Sequence, residues 1–190
     1  MGTLYLIRHG RTEANEKWLY CGSTDLGLSE SGMKDLEKIH YKLPENCTFM
    51  ISGMKRTEQT LKILFGDVPY TVDRRFREVD FGVFEMKSYE ALKEQENYQA
   101  WISGDNEKNV PPGGESGVQM KERVLQGLQD LQRMQGDVVL ISHGGVIASI
   151  MEHLFPEEQK NRYLWQPKPG HGYMLAKGLY QELETNEKNV

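Results

Sequence analysis

The chain has 190 residues, 38% of them hydrophobic and 27% charged, which suits one folded domain with a sizeable core and excludes a disordered chain. A formal net charge of -5 leaves no global positive field to gather nucleic acid or anionic membrane, so any anion site must be local. Cys21 and Cys47 are too few for a disulfide framework and lack zinc spacing. No stretch approaches the roughly 20 apolar residues of a membrane span, and no leader or myristoylation signal opens the chain. Free thiols in a reducing cytoplasm are the expectation.

In chain order, Thr3 to Arg8 reads as a short buried strand that ends at the polar Arg8-His9-Gly10. Ser29 to Leu43 opens on a capping signal and spaces Met33, Leu36, Ile39 and Leu43 as an amphipathic helix. Cys47 to Ile51 is a second strand, followed at Lys55 to Phe65 by a helix bearing Leu61, Leu64 and Phe65. Glu115 to Gln135 is helical, Asp137 to Ile141 is the third strand, and Val146 to Leu154 continues as an apolar helix. Gly172–Ala176 and Leu179–Leu183 form a hairpin about Lys177-Gly178, and Thr185 onward is expected to fray.

Strands alternating with helices predict an α/β fold: a three-layer α/β/α sandwich on a mostly parallel sheet, as a single domain over 1–190. Arg8, His9, Arg56 and His143 all lie near strand C-terminal ends, where the loops of such a sheet gather into a cleft. Residues 88–116, a short helical stretch with a polar run and Val110-Pro111-Pro112-Gly113-Gly114, read as an insertion covering that cleft.

An arginine, an imidazole and a glycine leaving a strand suit an anion, although an isolated Arg-His-Gly is as readily a strand end with a surface charge. The wider strings decide the matter. Leu6-Ile7-Arg8-His9-Gly10-Arg11-Thr12-Glu13-Ala14-Asn15 resembles the opening signature of the histidine phosphatase superfamily, which includes the cofactor-dependent phosphoglycerate mutases. The likeness continues in family order through Gly22–Gly32, Ser52–Thr60, Arg77–Glu85 and Ile141–Gly145. Two departures stand out: Met86 where a glycine often follows the acidic residue, and Gly53-Met54-Lys55 in place of a proline-containing approach to Arg56.

The resemblance implies a phosphoglycerate mutase-like fold and a phosphohistidine mechanism with no metal or cofactor. His9 would be the nucleophile and Glu78 the general acid and base, while Arg8, Arg56 and a protonated His143 neutralise a small phosphorylated substrate. Asn15, Cys21, Gly22 and Gly144 fall where the family contacts substrate. Within the family, Thr12-Glu13-Ala14-Asn15 replaces the tryptophan-containing string typical of mutases, which favours a phosphomonoesterase. Tyr20–Asp25 and Arg77–Gly82 resemble the alpha-ribazole phosphatases. Mutase-type phosphoryl transfer and a non-enzymatic phospho-ligand module are the alternatives. Monomer and homodimer are equally compatible with the sequence.

Overall fold

The structure, a computed structural model, describes residues 2–105 and 107–185. Three parallel strands form its centre: β1 (Leu4–Arg8), β2 (Thr48–Ile51) and β4 (Val138–Ser142). With β3 (Tyr70–Val72), β5 (Gly172–Ala176) and β6 (Leu179–Glu182), the sheet order among the described residues is β3-β2-β4-β1-β5-β6. β3 is parallel to β2, whereas β5 and β6 close the other edge antiparallel.

Side chains alternate across a strand, and here each face meets its own layer. Leu4, Leu6, Val138 and Leu140 pack with α6 (Gly117–Arg133) and α7 (Gly144–Leu154), through residues such as Val124, Leu128, Ile147 and Ile150. Tyr5, Ile7, Val139 and Ile141 instead meet Leu61 of α3 (Lys55–Phe65). These near-continuous apolar strands are those of a sheet covered on both faces, and the α/β sandwich expected from the sequence is the one observed.

The chain after β1 runs through α1 (Glu13–Glu16) to α2 (Glu30–Leu36), which lies on the α3 face. The chain after β4 enters α7 on the opposite face. Neighbouring parallel strands whose connections part to opposite sides leave a crevice at their C-terminal ends. His9, Ser52 and His143 each stand one residue beyond the end of β1, β2 and β4.

Some expectations need correction. The helix predicted to reach Leu43 stops at Leu36, although Ser29 caps it as expected by accepting from Gly32 N at 3.1 Å. Its last turn tightens, Lys38 N donating to Asp35 O and Ile39 N to Leu36 O, and the apolar residues beyond serve different clusters. Ile39 joins Leu28 and Leu36, whereas Tyr41 and Leu43 also pack under the sheet beside Phe65. β3 was not expected at all, because its three residues are exposed at a sheet edge and carry no alternating pattern. The hairpin is present, with Lys177 and Gly178 both at positive φ. The tail expected to fray lies, apart from Thr185, outside the described residues.

Residues 88–116 contain α4 (Tyr89–Leu92) and α5 (Glu96–Ile102). Phe84, Leu92 and Tyr98 form an apolar cluster of their own there, backed by Tyr20, Phe81 and Trp101.

Candidate active site

Five side chains scattered over 136 positions of the sequence meet at the crevice: Arg8, His9, Arg56, Glu78 and His143. The His9 and His143 rings stand edge to face with centroids 5.1 Å apart. His9 Nδ1 lies 2.7 Å from the carbonyl of its own neighbour Gly10, which can only accept, so Nδ1 carries the proton and Nε2 keeps its lone pair. Gly10 is in turn held by its N–H to Thr60 Oγ1 at 3.0 Å, and Thr60 donates to Arg56 O. Burial, reinforced by Arg56 and Arg8 beside it, holds the His9 ring well below the ordinary imidazole range. The residue is therefore neutral and nucleophilic near neutral pH.

His143 is fully buried and its tautomer follows from its partners. Arg56 Nε donates to His143 Nδ1 at 3.3 Å, so Nδ1 accepts and Nε2 carries the proton toward Ser52 Oγ, 2.8 Å away. Ser52 then donates to Thr57 Oγ1 and Thr57 to Met54 O, which completes the relay. Burial first, then Arg56, His9 and Arg8, push His143 well below the usual imidazole range. The protonated His143 expected from the sequence is thus a neutral one in this arrangement, because a cation already donates to it inside the protein.

Arg56 is 1% exposed and fixed by two further carbonyls, Nη1 to Thr24 O at 2.9 Å and Nη2 to Gly22 O at 2.7 Å. Arg8 donates from Nη1 to Pro167 O at 2.9 Å, and its buried Nε has no partner among the described residues. A buried guanidinium N–H without an acceptor, at the end of a central strand, marks where an anion would be bound. Burial lowers both arginines, with Glu78 opposing for Arg8 and Cys21 foremost for Arg56, and guanidinium stays charged at any working pH.

Glu78 reaches the crevice from an irregular segment and accepts from Val79 N at 3.0 Å and from Gly145 N at 2.9 Å, the latter in the first turn of α7. A Cβ on Gly145 would come within 2.4 Å of Glu78 Oε1, so only glycine admits this carboxylate. Gly144 has a similar function, since a Cβ there would stand 2.8 Å from Gln166 Oε1 and 3.2 Å from Arg8 Cζ.

The residues expected to contact substrate are placed differently. Asn15 borders a cavity of about 780 Å³ beside Arg8 and Arg11, but its Oδ1 accepts from Thr12 N and Thr12 Oγ1 as part of the α1 cap. Gly22 is turned inward: its N–H donates to the Glu85 carboxylate and its carbonyl accepts from Arg56. Cys21 lines an adjoining cavity of about 350 Å³, and burial pushes its thiol up, away from the reactive thiolate.

Sequence reasoning passed over the residues that organise these groups. Glu85 gathers the N–H groups of Gly22, Ser23, Thr24 and Phe81 and the Thr24 hydroxyl on one carboxylate, shaping the loop whose carbonyls hold Arg56. Ser52, Arg162 and Gln166 likewise become visible only through partners distant in sequence. Glu85 and Ser52 sat within the blocks Arg77–Glu85 and Ser52–Thr60, which was the available signal.

Two guanidiniums, one fully buried and one with a buried Nε, a neutral imidazole with a free nitrogen and a carboxylate on a helix N-terminus stand at the strand ends of a doubly covered sheet, a set able to bind a phosphoryl group and present a nucleophile to it. The chain belongs to the histidine phosphatase superfamily (branch 1), whose profile matches residues 4–173. It is 27% identical over 197 residues to the adenosylcobalamin/alpha-ribazole phosphatase of Escherichia coli (strain K12), covering 97% of this chain and 91% of that one. It is 27% identical over 167 residues to phosphoglycerate mutase-like protein 4 of Arabidopsis thaliana, covering 83% and 73% of the two chains. A crystal structure from Escherichia coli strain K-12 superposes with a TM-score of 0.83 at 23% identity, over 97% of this chain and 96% of that one, which establishes the shared fold. Among the described residues, no helix is long and apolar enough to cross a membrane.

Proposed function

We propose that this chain is a phosphomonoesterase that acts on a small phosphorylated metabolite through a phosphohistidine on His9. The tautomer of His9 carries the proposal, since the Nδ1 bond to Gly10 O leaves Nε2 as the only ring nitrogen free to attack. Arg8 and Arg56 neutralise the non-bridging oxygens of the ester, and His143 orients Arg56. As the Nε2–P bond forms, the bond from phosphorus to the leaving oxygen breaks, and that oxygen takes a proton from Glu78, which enters this step as the carboxylic acid and leaves it ionised. Water then attacks the phosphohistidine, gives its proton to Glu78, and releases inorganic phosphate with the Nε2 lone pair restored. The net change is ester and water to alcohol and phosphate. Asn15, Cys21, Gly22 and Gly144 shape the pocket around these groups.

The cavity charge favours hydrolysis over a phosphoglycerate mutase reaction. Beyond Arg8 the 350 Å³ cavity is lined by Tyr20, Phe81, Trp101 and Ile102, by Glu107 and Glu115, and by Arg162, which is already ion-paired with Glu107. A carboxylate on the substrate would meet no unpaired cation there. Among the phosphatase readings, alpha-ribazole phosphate hydrolysis is the specific activity that the E. coli relative suggests. The segment 88–116 sets that choice as the cleft-covering part of a single domain, in a protein read as cytoplasmic.

The test is hydrolysis of an aryl phosphate with chelator present, wild type against His9→Ala, with acid- and base-quenched trapping of the phosphoenzyme. Base-stable, acid-labile label on the wild type and none on His9→Ala is expected. Turnover that persists in His9→Ala would overturn the proposal, and transfer of label to phosphoglycerate in preference to water would favour the mutase.

A further inference from the structure

Glu78 sits on a stretch with neither helix nor strand to satisfy its backbone. Residues 77–81 follow a single 3₁₀ turn at Arg74–Phe76, and the carbonyls of Arg75, Arg77 and Glu78 face inward. Buried carbonyls need donors, and one side chain supplies all three. Arg123, on α6, donates from Nη1 to Arg75 O and Arg77 O, both at 2.7 Å, and from Nη2 to Glu78 O at 3.1 Å. Its remaining N–H groups go to both oxygens of the Glu115 carboxylate, Nε at 3.0 Å and Nη2 closer. All five guanidinium protons are thereby spent, a set that lysine with three cannot reproduce.

Glu115 extends the clamp one step further. Its Oε1 accepts from Asp80 N at 3.2 Å and its own N–H donates to Asp80 O at 3.0 Å. The backbone from Arg75 to Asp80 is thus fixed on both sides of Glu78. The segment cannot shift along α6 either: Phe76 is fully buried against Gly127, where a Cβ would come within 2.7 Å of the ring, and Arg75 bonds Asp130 at 2.7 Å.

We infer that Arg123, braced by Glu115, is the positioning residue for Glu78: it holds the main chain that carries the proton-transfer carboxylate, without touching substrate itself. This rests on the reading of Glu78 as general acid and base. Positioning matters because a misplacement of about 1 Å costs a proton-transfer or attacking group on the order of 10²-fold in rate.

The experiment compares kcat/KM, which reports phosphorylation of the enzyme, for aryl phosphates with good leaving groups and alkyl phosphates with poor ones. Glu78→Gln is the reference: it should lose about 10²-fold or more on alkyl esters and much less on an activated aryl ester, whose departure needs little protonation. Arg123→Lys, which keeps the charge, and Glu115→Gln, which keeps the shape, should copy that leaving-group dependence at about tenfold. The KM of Arg123→Lys, whose side chain does not line the cavity, should change little. Equal losses on both ester classes, or a lowered melting temperature with unchanged leaving-group dependence, would overturn the inference and leave Arg123 a scaffold residue. If Glu78→Gln shows no leaving-group dependence, the reading of Glu78 fails first.

Discussion

The two sides of the crevice are held by different forces. On the strand-end side, His9, Arg56 and His143 are buried and cross-bonded: His9 to Gly10, Gly10 to Thr60, Thr60 to Arg56, Arg56 to His143, and His143 to Ser52. On the side of residues 88–116, the packing is aromatic, with Trp101 against Phe84 at 5.3 Å, Tyr20 at 5.6 Å and Tyr98 at 5.7 Å between ring centroids. Directional bonds on rigid strand ends tolerate no change of chemistry, whereas apolar packing tolerates changes of shape. The first side suits an invariant reaction, and the second suits a choice among leaving groups.

The strongest way to break this comparison is Arg56→Lys. A lysine keeps one charge but cannot hold Thr24 O, Gly22 O and His143 Nδ1 at once, so kcat/KM should fall on the order of 10²-fold for every phosphate ester alike. A loss confined to some esters would show that the strand-end side selects substrate as well.

Protonation gives the next largest effect. His9 and His143 both have folded pKa values below the unfolded value of about 6.5, so the unfolded chain binds more protons in that window. Their contribution to stability is full above about pH 6.5 and is lost as pH falls from there through the folded values. NMR titration should find both rings protonating below the free-imidazole midpoint of about 6.5, and the urea midpoint should decline as pH falls below it. A protonation midpoint near 6.5 for either ring would mean that the buried network is open to water.

Much of the strand-end side was legible in the sequence, for a physical reason. An apolar run that ends in Arg-His-Gly or Ser-His-Gly-Gly announces both the strand and the side chain at its end, so β1, β4, His9 and His143 could be read locally. Arg56 could likewise be placed near a strand end, but the roles of His9, His143, Arg56 and Glu78 were implied only by the family resemblance. What stayed hidden depends on contacts across the chain. Glu85 reaches back to residues 22–24, Ser52 to His143, and Arg123 to carbonyls more than forty positions away. The helix after Ser29 was overextended because Ile39 and Leu43 keep helical spacing while packing into separate clusters. No local pattern distinguishes those cases.

On the aromatic side, Trp101→Ala should leave phosphohistidine breakdown nearly unchanged and raise KM about tenfold for the preferred ester, with smaller esters less affected. That is the signature of lost ground-state binding. A matching fall in the breakdown rate would mean that residues 88–116 take part in the water-attack step.

The smallest effect lies where the two sides join. Met86 N donates to Tyr20 O at 2.7 Å and Tyr20 N to Lys87 O at 3.0 Å, which ties the chain just before residues 88–116 to the segment around Tyr20. Met86 makes this turn at φ +60°, in the left-handed region, where a residue with a Cβ costs about 1–2 kcal/mol and glycine almost nothing. Met86→Gly removes that strain but adds about 0.5–1 kcal/mol of unfolded-chain entropy, and the half-exposed Met side chain forfeits little packing. A net gain of about 0.5 kcal/mol, a rise in Tm of about 1–2 °C, is expected with kcat/KM unchanged. A drop in Tm would show that the thioether packing outweighs the backbone strain. The junction would then owe part of its hold to the same shape-dependent contacts as residues 88–116, beside its own backbone hydrogen bonds.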